Sequence, residues 1–310
     1  RLEALNVHHV RMDLNWSYRE PNPGEYAMEA FARRMDFYES MNVEVLATVN
    51  LKAIPLWAKE LKQEDFIRSY TEFLQVILES YGNQIAIIQV GNEWDWEVDK
   101  SLNGDLDLYI EMSNILYDLV DEKEAYSDLE VAVSSISIGG IQALAYDQDR
   151  IENVFFEGEA LYDEKDLKEL LPRIRHTASW ADRIYSECKY DVVDIHLYDD
   201  YWNWHHYEKA IQYILENREV SQKQKSKPNS IIVSEFGGPE PQMEAQTEDH
   251  KAKQLNEYIK VLDSLDIEIA YYFKLHQHTS QEKIFHPGSY LIDSDGNETL
   301  SYEVFKMINE

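Results

Sequence analysis

The feature that most constrains this chain is an order of short apolar runs, each ending on polar residues and followed by a segment of helical period. The runs begin near residues 8, 43, 85, 129, 192, 230 and 267. They are close to continuous in apolar residues, as strands buried on both faces of a parallel sheet must be. Helical periodicity covers about Met28 to Ser40, Leu61 to Tyr81, Leu106 to Leu119, Glu164 to Leu171, Thr177 to Cys188, Tyr207 to Arg218 and Thr247 to Leu265. Strand and helix thus alternate throughout, the pattern of parallel βα units in an α/β fold. No linker-like stretch divides the 310 residues, so 1–310 is expected to form one domain of the (β/α)8 TIM-barrel class.

Two runs end on a glutamate. Ile85 to Trp96 reads IAIIQVGNEWDW and delivers Glu93 to an edge, and Ser230 to Pro239 reads SIIVSEFGGP and delivers Glu235. In a barrel the C-terminal strand ends meet at one pocket, so these carboxylates can face each other although they are far apart in sequence. The first run, VHHVRMDLNW, places Val10, Met12 and Leu14 on one side and Arg11, Asp13 and Asn15 on the other. A polar inner side suits a strand that opens into a pocket. Arg11 is then either the partner of a buried carboxylate or a structural ion pair lower in the barrel. Asn50, at the end of the second run, joins the candidate substrate contacts. Trp16, Trp57, Trp94, Trp96, Trp202 and Trp204 follow predicted strand ends, where aromatic faces can stack on sugar rings; each taken singly fits core packing equally well.

Charge narrows the partners. With 59 acidic and 29 basic residues the net charge is −30, which argues against nucleic acid and anionic membranes, whose binding needs clustered Lys and Arg. Cys188 is the only cysteine, so no disulfide can form within the chain. No apolar run approaches the roughly 20 residues of a membrane span. The chain begins at Arg1, so a targeting segment is expected to have been removed or never present, and the expected location is secreted or periplasmic, with a cytoplasmic one left open. Oligomeric state is left open as well.

Seven segments in order carry a family resemblance: VRMDLNW with EPNPGEY, VLATVN with Pro55 and Trp57, Asn92-Glu93, DIHLY, SEFGGP, YYFKL, and the tail SYLIDSDGNETLSYEVF. The chain resembles clan A glycoside hydrolases, retaining enzymes on an α/β barrel that include cellulase-like, mannanase-like and β-xylosidase-like families. The resemblance implies that Glu93 is the acid/base and Glu235 the nucleophile, that Asn92 bonds the sugar 2-hydroxyl, and that Arg11 keeps the nucleophile ionised. His196 and Tyr198 match positions that contact the reacting sugar or the nucleophile. Tyr272 stands where many relatives carry a tryptophan platform, and Trp94 where many carry proline. By the same resemblance the first run is the barrel's second strand, so the first strand is expected to lie upstream of Arg1.

The chemistry can also be reached from the residues. Glycoside cleavage passes through an oxocarbenium-like transition state and needs a proton on the leaving oxygen and negative charge at the anomeric carbon, which two carboxyls in unlike surroundings supply. No cofactor is called for. A metal-dependent hydrolase drawing on His8, His9, Asp13, His196, His205, His206, Glu235, His276 and His278 is a competing reading, but no closely spaced ligand motif supports it, and adjacent His8 and His9 on a strand point to opposite faces. A non-catalytic carbohydrate-binding barrel is the other alternative.

Overall fold

The computed structural model describes residues 2–149, 164–198, 231–237, 248–267, 269–275, 290–293 and 295–309, together with 209, 211, 212 and 214. Seven strands form one sheet in sequence order: β1 (His9–Leu14), β2 (Glu44–Val49), β3 (Ile85–Val90), β4 (Glu130–Ile136), β5 (Val192–Tyr198), β6 (Ile231–Gly237) and β7 (Ile269–Tyr272). Every neighbouring pair is parallel. Among the described residues this is the architecture of a (β/α)8 TIM barrel with seven of its eight strands. The described strands β1 and β7 do not pair, and the seam between them is a cavity of about 930 Å³ whose walls include Val10 and Arg11 on one side and Ala270 and Tyr271 on the other.

Strand parity divides the core in two. Leu46, Ile87, Ala132, Val192, Ile232 and Tyr271, one from each of β2 to β7, meet as an apolar plug inside the barrel. Alternate residues such as Met12, Leu14, Val45, Ala47, Val193 and Val233 pack outward against the helices. Above the plug the inner residues turn polar. Gln89 Nε2 donates to Thr48 Oγ1 at 3.1 Å, and Asp194 Oδ1 accepts from Ser234 N at 2.9 Å.

The helices with described bounds are α1 (Trp16–Arg19), α2 (Glu29–Ser40), α3 (Leu56–Lys59), α4 (Gln63–Tyr81), α5 (Trp94–Ser101), α6 (Leu106–Asp121), α7 (Ile138–Asp147), α8 (Glu164–Glu187), α9 (Glu248–Ser264) and α10 (Leu300–Asn309). Besides the one-turn α1 and α3, four depart from the sequence expectation. The run Ile85 to Trp96 is not one strand: β3 stops at Val90 and Trp94 opens α5. The run that begins near residue 129 is followed at once by α7, which contains Gly139 and Gly140 and whose N-cap Ser137 accepts from Gly140 N. The segments at Glu164 and Thr177 join into α8, which carries Pro172 within it. A further helix, α10, packs Phe305 near Tyr272. The segment expected to be helical from Tyr207 to Arg218 lies largely outside the described residues. Among the described residues no helix is long and apolar enough to cross a membrane.

Candidate active site

Glu235 reaches the pocket through an irregularity in β6. The register of β6 against β7 shifts between Val233 and Phe236, so Ser234 and Glu235 both serve the barrel interior while Phe236 packs outward with the helices. A bulge re-aims a side chain in this way. Glu235 lies beside His196 in the ladder with β5. Arg11 Nη1 donates to Glu235 Oε1 at 2.5 Å, and the Tyr198 hydroxyl donates to Glu235 Oε2. Arg11 is itself fixed from four sides. Its Nε donates to Thr48 Oγ1 at 3.1 Å, its Nη1 also meets Ser234 O at 3.2 Å and His196 Nε2 at 3.3 Å, and its Nη2 donates to Asn92 Oδ1.

Burial alone would raise the Glu235 pKa, but His196, Arg11 and the hydrogen bonds from Tyr198 and Arg11 outweigh it and hold the group at about 2, against an ordinary 4.5. Burial also pushes the Tyr198 hydroxyl up, with the Glu235 charge adding to it, so Tyr198 keeps the proton that it donates.

Glu93 is placed differently. It is the N-cap of α5 with φ 51° and ψ 73°, a left-handed conformation that costs a non-glycine residue on the order of 1–3 kcal/mol. Its carboxyl Oε1 lies 3.0 Å from His196 Nδ1, and the same nitrogen is 3.7 Å from Glu235 Oε2. Because Arg11 donates toward Nε2, the imidazole proton is assigned to Nδ1, where it faces both carboxylates. His196 is fully buried. Burial lowers its pKa, but Glu235 and Glu93 raise it by more, so the net shift is upward.

The structure thus brings together Arg11, Asn92, Glu93, His196, Tyr198 and Glu235. It does not bring in all the other predicted contacts. Trp16 and Trp94 are corrections: both are fully buried, Trp16 stacked on Phe73 at 5.4 Å among Trp57, Phe66 and Tyr70, and a ring sealed in the core cannot receive a sugar. Tyr272 is no platform either, since it packs edge-on to Phe236 at 5.4 Å and against Phe305 at 5.6 Å, between sheet and helices. Asn50 stands at the end of β2, where its Oδ1 caps a short 3₁₀ turn by accepting from Lys52 N at 2.9 Å. Trp96 is exposed, with the Arg173 guanidinium 5.5 Å from its ring centre. Trp202 and Trp204 lie outside the described residues, as do His205, His206, His276 and His278. Among the described residues no group of three or more His, Cys, Asp or Glu could hold a metal ion.

Residues missed by sequence reasoning include Ser234, which contacts His196 Nε2 at 3.1 Å, and Phe273, which with Tyr271 and Tyr272 lines the same cavity as Glu235. Ser234 could have been found as the neighbour of Glu235 once a bulge was suspected.

Residues 159–305 match the family model described as glycosyl hydrolase catalytic core. Similar solved structures include a family 39 glycoside hydrolase from Bacteroides cellulosilyticus, at 15% identity and a TM-score of 0.65 over 100% of this chain and 59% of that one. An exo-β-1,4-mannosidase from an Opitutaceae bacterium matches at 14% identity and 0.64 over 99% and 53%. Xylanase 10B of Thermotoga petrophila, solved with xylobiose, matches at 13% and 0.60 over 100% and 97%. At such identities the likeness is one of fold, and the chain spans about three fifths of the family 39 enzyme. No curated protein matches the sequence. The family match and the shared fold together support glycoside hydrolysis.

Proposed function

We propose that the chain is a retaining glycoside hydrolase that cleaves β-linked neutral oligo- or polysaccharides by double displacement. The observation that carries this reading is the single His196 nitrogen within 3.0 Å of one carboxylate and 3.7 Å of the other. Those oxygens can be no farther apart than the sum of the two distances. A retaining pair stands about 5 to 5.5 Å apart, under that ceiling, whereas most of the inverting range of roughly 6.5 to 9.5 Å exceeds it.

In this reading Glu235, ionised at any pH well above 2, attacks the anomeric carbon while Glu93 protonates the leaving oxygen. Water then enters with Glu93 as base, and the glycosyl–Glu235 ester breaks with retention. Arg11 and Tyr198 disperse the Glu235 charge in the resting enzyme and receive it back as the ester breaks. Asn92, oriented by Arg11, is the partner for the sugar 2-hydroxyl. Aromatic surface for further sugar rings comes from Trp96 and Phe273. The neutral substrate class follows from a net charge of −30 and from carboxylates at the reacting centre, both of which repel uronates.

The test is a panel of mannan, xylan, β-glucan, galactan and aryl β-glycosides, with NMR of the first product. Release of a β-anomer supports the proposal. First release of an α-anomer would end the retaining mechanism, and no turnover of any member would favour the non-catalytic carbohydrate-binding barrel.

A further inference from the structure

Glu93 has a problem that Glu235 does not. Its backbone is in a left-handed conformation, and among the described residues its carboxyl meets one side chain, His196. Its direction must therefore be set largely through the main chain. Two acidic residues in the next helical turn, Asp95 and Glu97, are not used by the chemistry above, yet both reach back to the strand ends that flank β3.

Asp95 reaches toward β4. Its Oδ1 accepts from Ser137 N at 2.9 Å and its Oδ2 from Ser137 Oγ at 2.5 Å. The same Ser137 hydroxyl accepts from Gly140 N at 3.2 Å, so Asp95 is tied into the N-terminal cap of α7. Space there is reserved, because a Cβ on Gly140 would lie 2.8 Å from Asp95 Oδ2. Glu97 reaches toward β2. It is fully buried, and its Oε2 accepts from Leu51 N at 3.2 Å and from Asn92 N at 2.9 Å, with Lys52 Nζ 3.7 Å from Oε1. Between these two ties, Glu93 N donates to Ser135 Oγ at 3.2 Å.

We propose that Asp95 and Glu97 are positioning residues, a pair of carboxylates on the first turn of α5 that brace the strained Asn92–Glu93 backbone against β4 and β2 and so aim the acid/base carboxyl. This rests on the reading of Glu93 as acid/base. The brace restrains the turn by hydrogen bonds from both sides, to Ser137 on one and to Leu51 and Asn92 on the other.

Aim matters to proton transfer and little to nucleophilic attack, which gives a readout that a loss of folding would not mimic. The full chain is compared as wild type, Glu93→Ala, Asp95→Ala, Asp95→Asn, Ser137→Ala and Glu97→Gln, on the phenyl and 2,4-dinitrophenyl β-glycosides of whichever sugar it cleaves. Asp95→Ala is expected to lose about 10²-fold in kcat/KM on the phenyl glycoside and under about threefold on the dinitrophenyl glycoside, whose leaving group needs no proton. Asp95→Asn and Glu97→Gln, whose amide oxygens still accept from the backbone, should stay within about tenfold of wild type on both. Ser137→Ala, which removes one of two ties, should show the same selectivity at roughly tenfold, and it serves where Asp95→Ala fails to fold. Equal losses on both glycosides, or none, in Asp95→Ala and Ser137→Ala while Glu93→Ala remains selective would overturn the brace. A Glu93→Ala variant without selectivity would overturn the acid/base assignment itself.

Discussion

The two glutamates are the same side chain held by opposite means. Glu235 sits on a strand, and its carboxyl is gripped by Arg11, Tyr198 and His196. Glu93 caps a helix, and apart from His196 Nδ1 at 3.0 Å from its carboxyl the contacts around it fall on its backbone and on its sequence neighbours. The difference suits two kinds of work. A nucleophile must be kept charged and still, which side-chain donors accomplish directly, whereas an acid/base must exchange a proton with successive partners and would be hindered by a cage of permanent donors.

The largest expected effect is at Glu235. Glu235→Ala should lose on the order of 10⁴-fold or more in kcat on every substrate, activated or not, and azide should return activity as the α-glycosyl azide. Glu93→Ala should lose about 10²- to 10⁴-fold on poor leaving groups alone, and azide should yield the β-anomer. Product NMR decides between them, and the reverse anomers would exchange the two roles.

Arg11→Met probes the electrostatic half of the contrast. The Glu235 pKa is depressed in the folded protein, so its contribution to stability is complete above the unfolded value near 4.5 and is lost as pH falls toward about 2. Removing Arg11 lifts that pKa, so the acid limb of kcat/KM should move to higher pH and acid unfolding should begin earlier; circular dichroism and rates from pH 3 to 6 would show both. His196 acts with the opposite sign. Its raised pKa stabilises below the ordinary 6.5 and loses that contribution as pH rises through the folded value. An unmoved acid limb in Arg11→Met would mean that another group controls it.

Trp94 and Trp96 give the smallest effect and the sharpest contrast within α5. Trp94→Ala opens the core and should cost about 3–5 kcal/mol of stability, seen as a lowered Tm. Trp96→Ala should change stability by about 0.5 kcal/mol or less and act through KM, if at all on soluble oligosaccharides.

These two tryptophans also show where sequence reading succeeds and stops. The apolar runs announced the strands because burial on both faces leaves no alternative composition, and the polar parity of Arg11 and Asp13 announced the pocket. The break after Val90 left no such trace. Gly91, with φ 86°, and the left-handed Glu93 turn the chain into α5 within four residues, and the indole that follows is carried inward while the one two residues later is carried out. Helical spacing decides that, and a strand-based reading put both at the mouth. Gly140 is silent for a similar reason: a Cβ there would meet the side chains of Ile136 and Asp95, a crowding that no local pattern announces. Long-range closeness of this kind is written in space and not in the local pattern.

The seam beside β1 has a consequence for how heat disarms the molecule. The arginine that keeps Glu235 charged is carried by β1, one of the two strands with an unpaired flank among the described residues, and edge strands are the first to open locally. Warming should therefore silence turnover some degrees below the temperature at which helical circular dichroism collapses, and the loss should reverse on cooling. In such a protein, activity is the earlier thermometer.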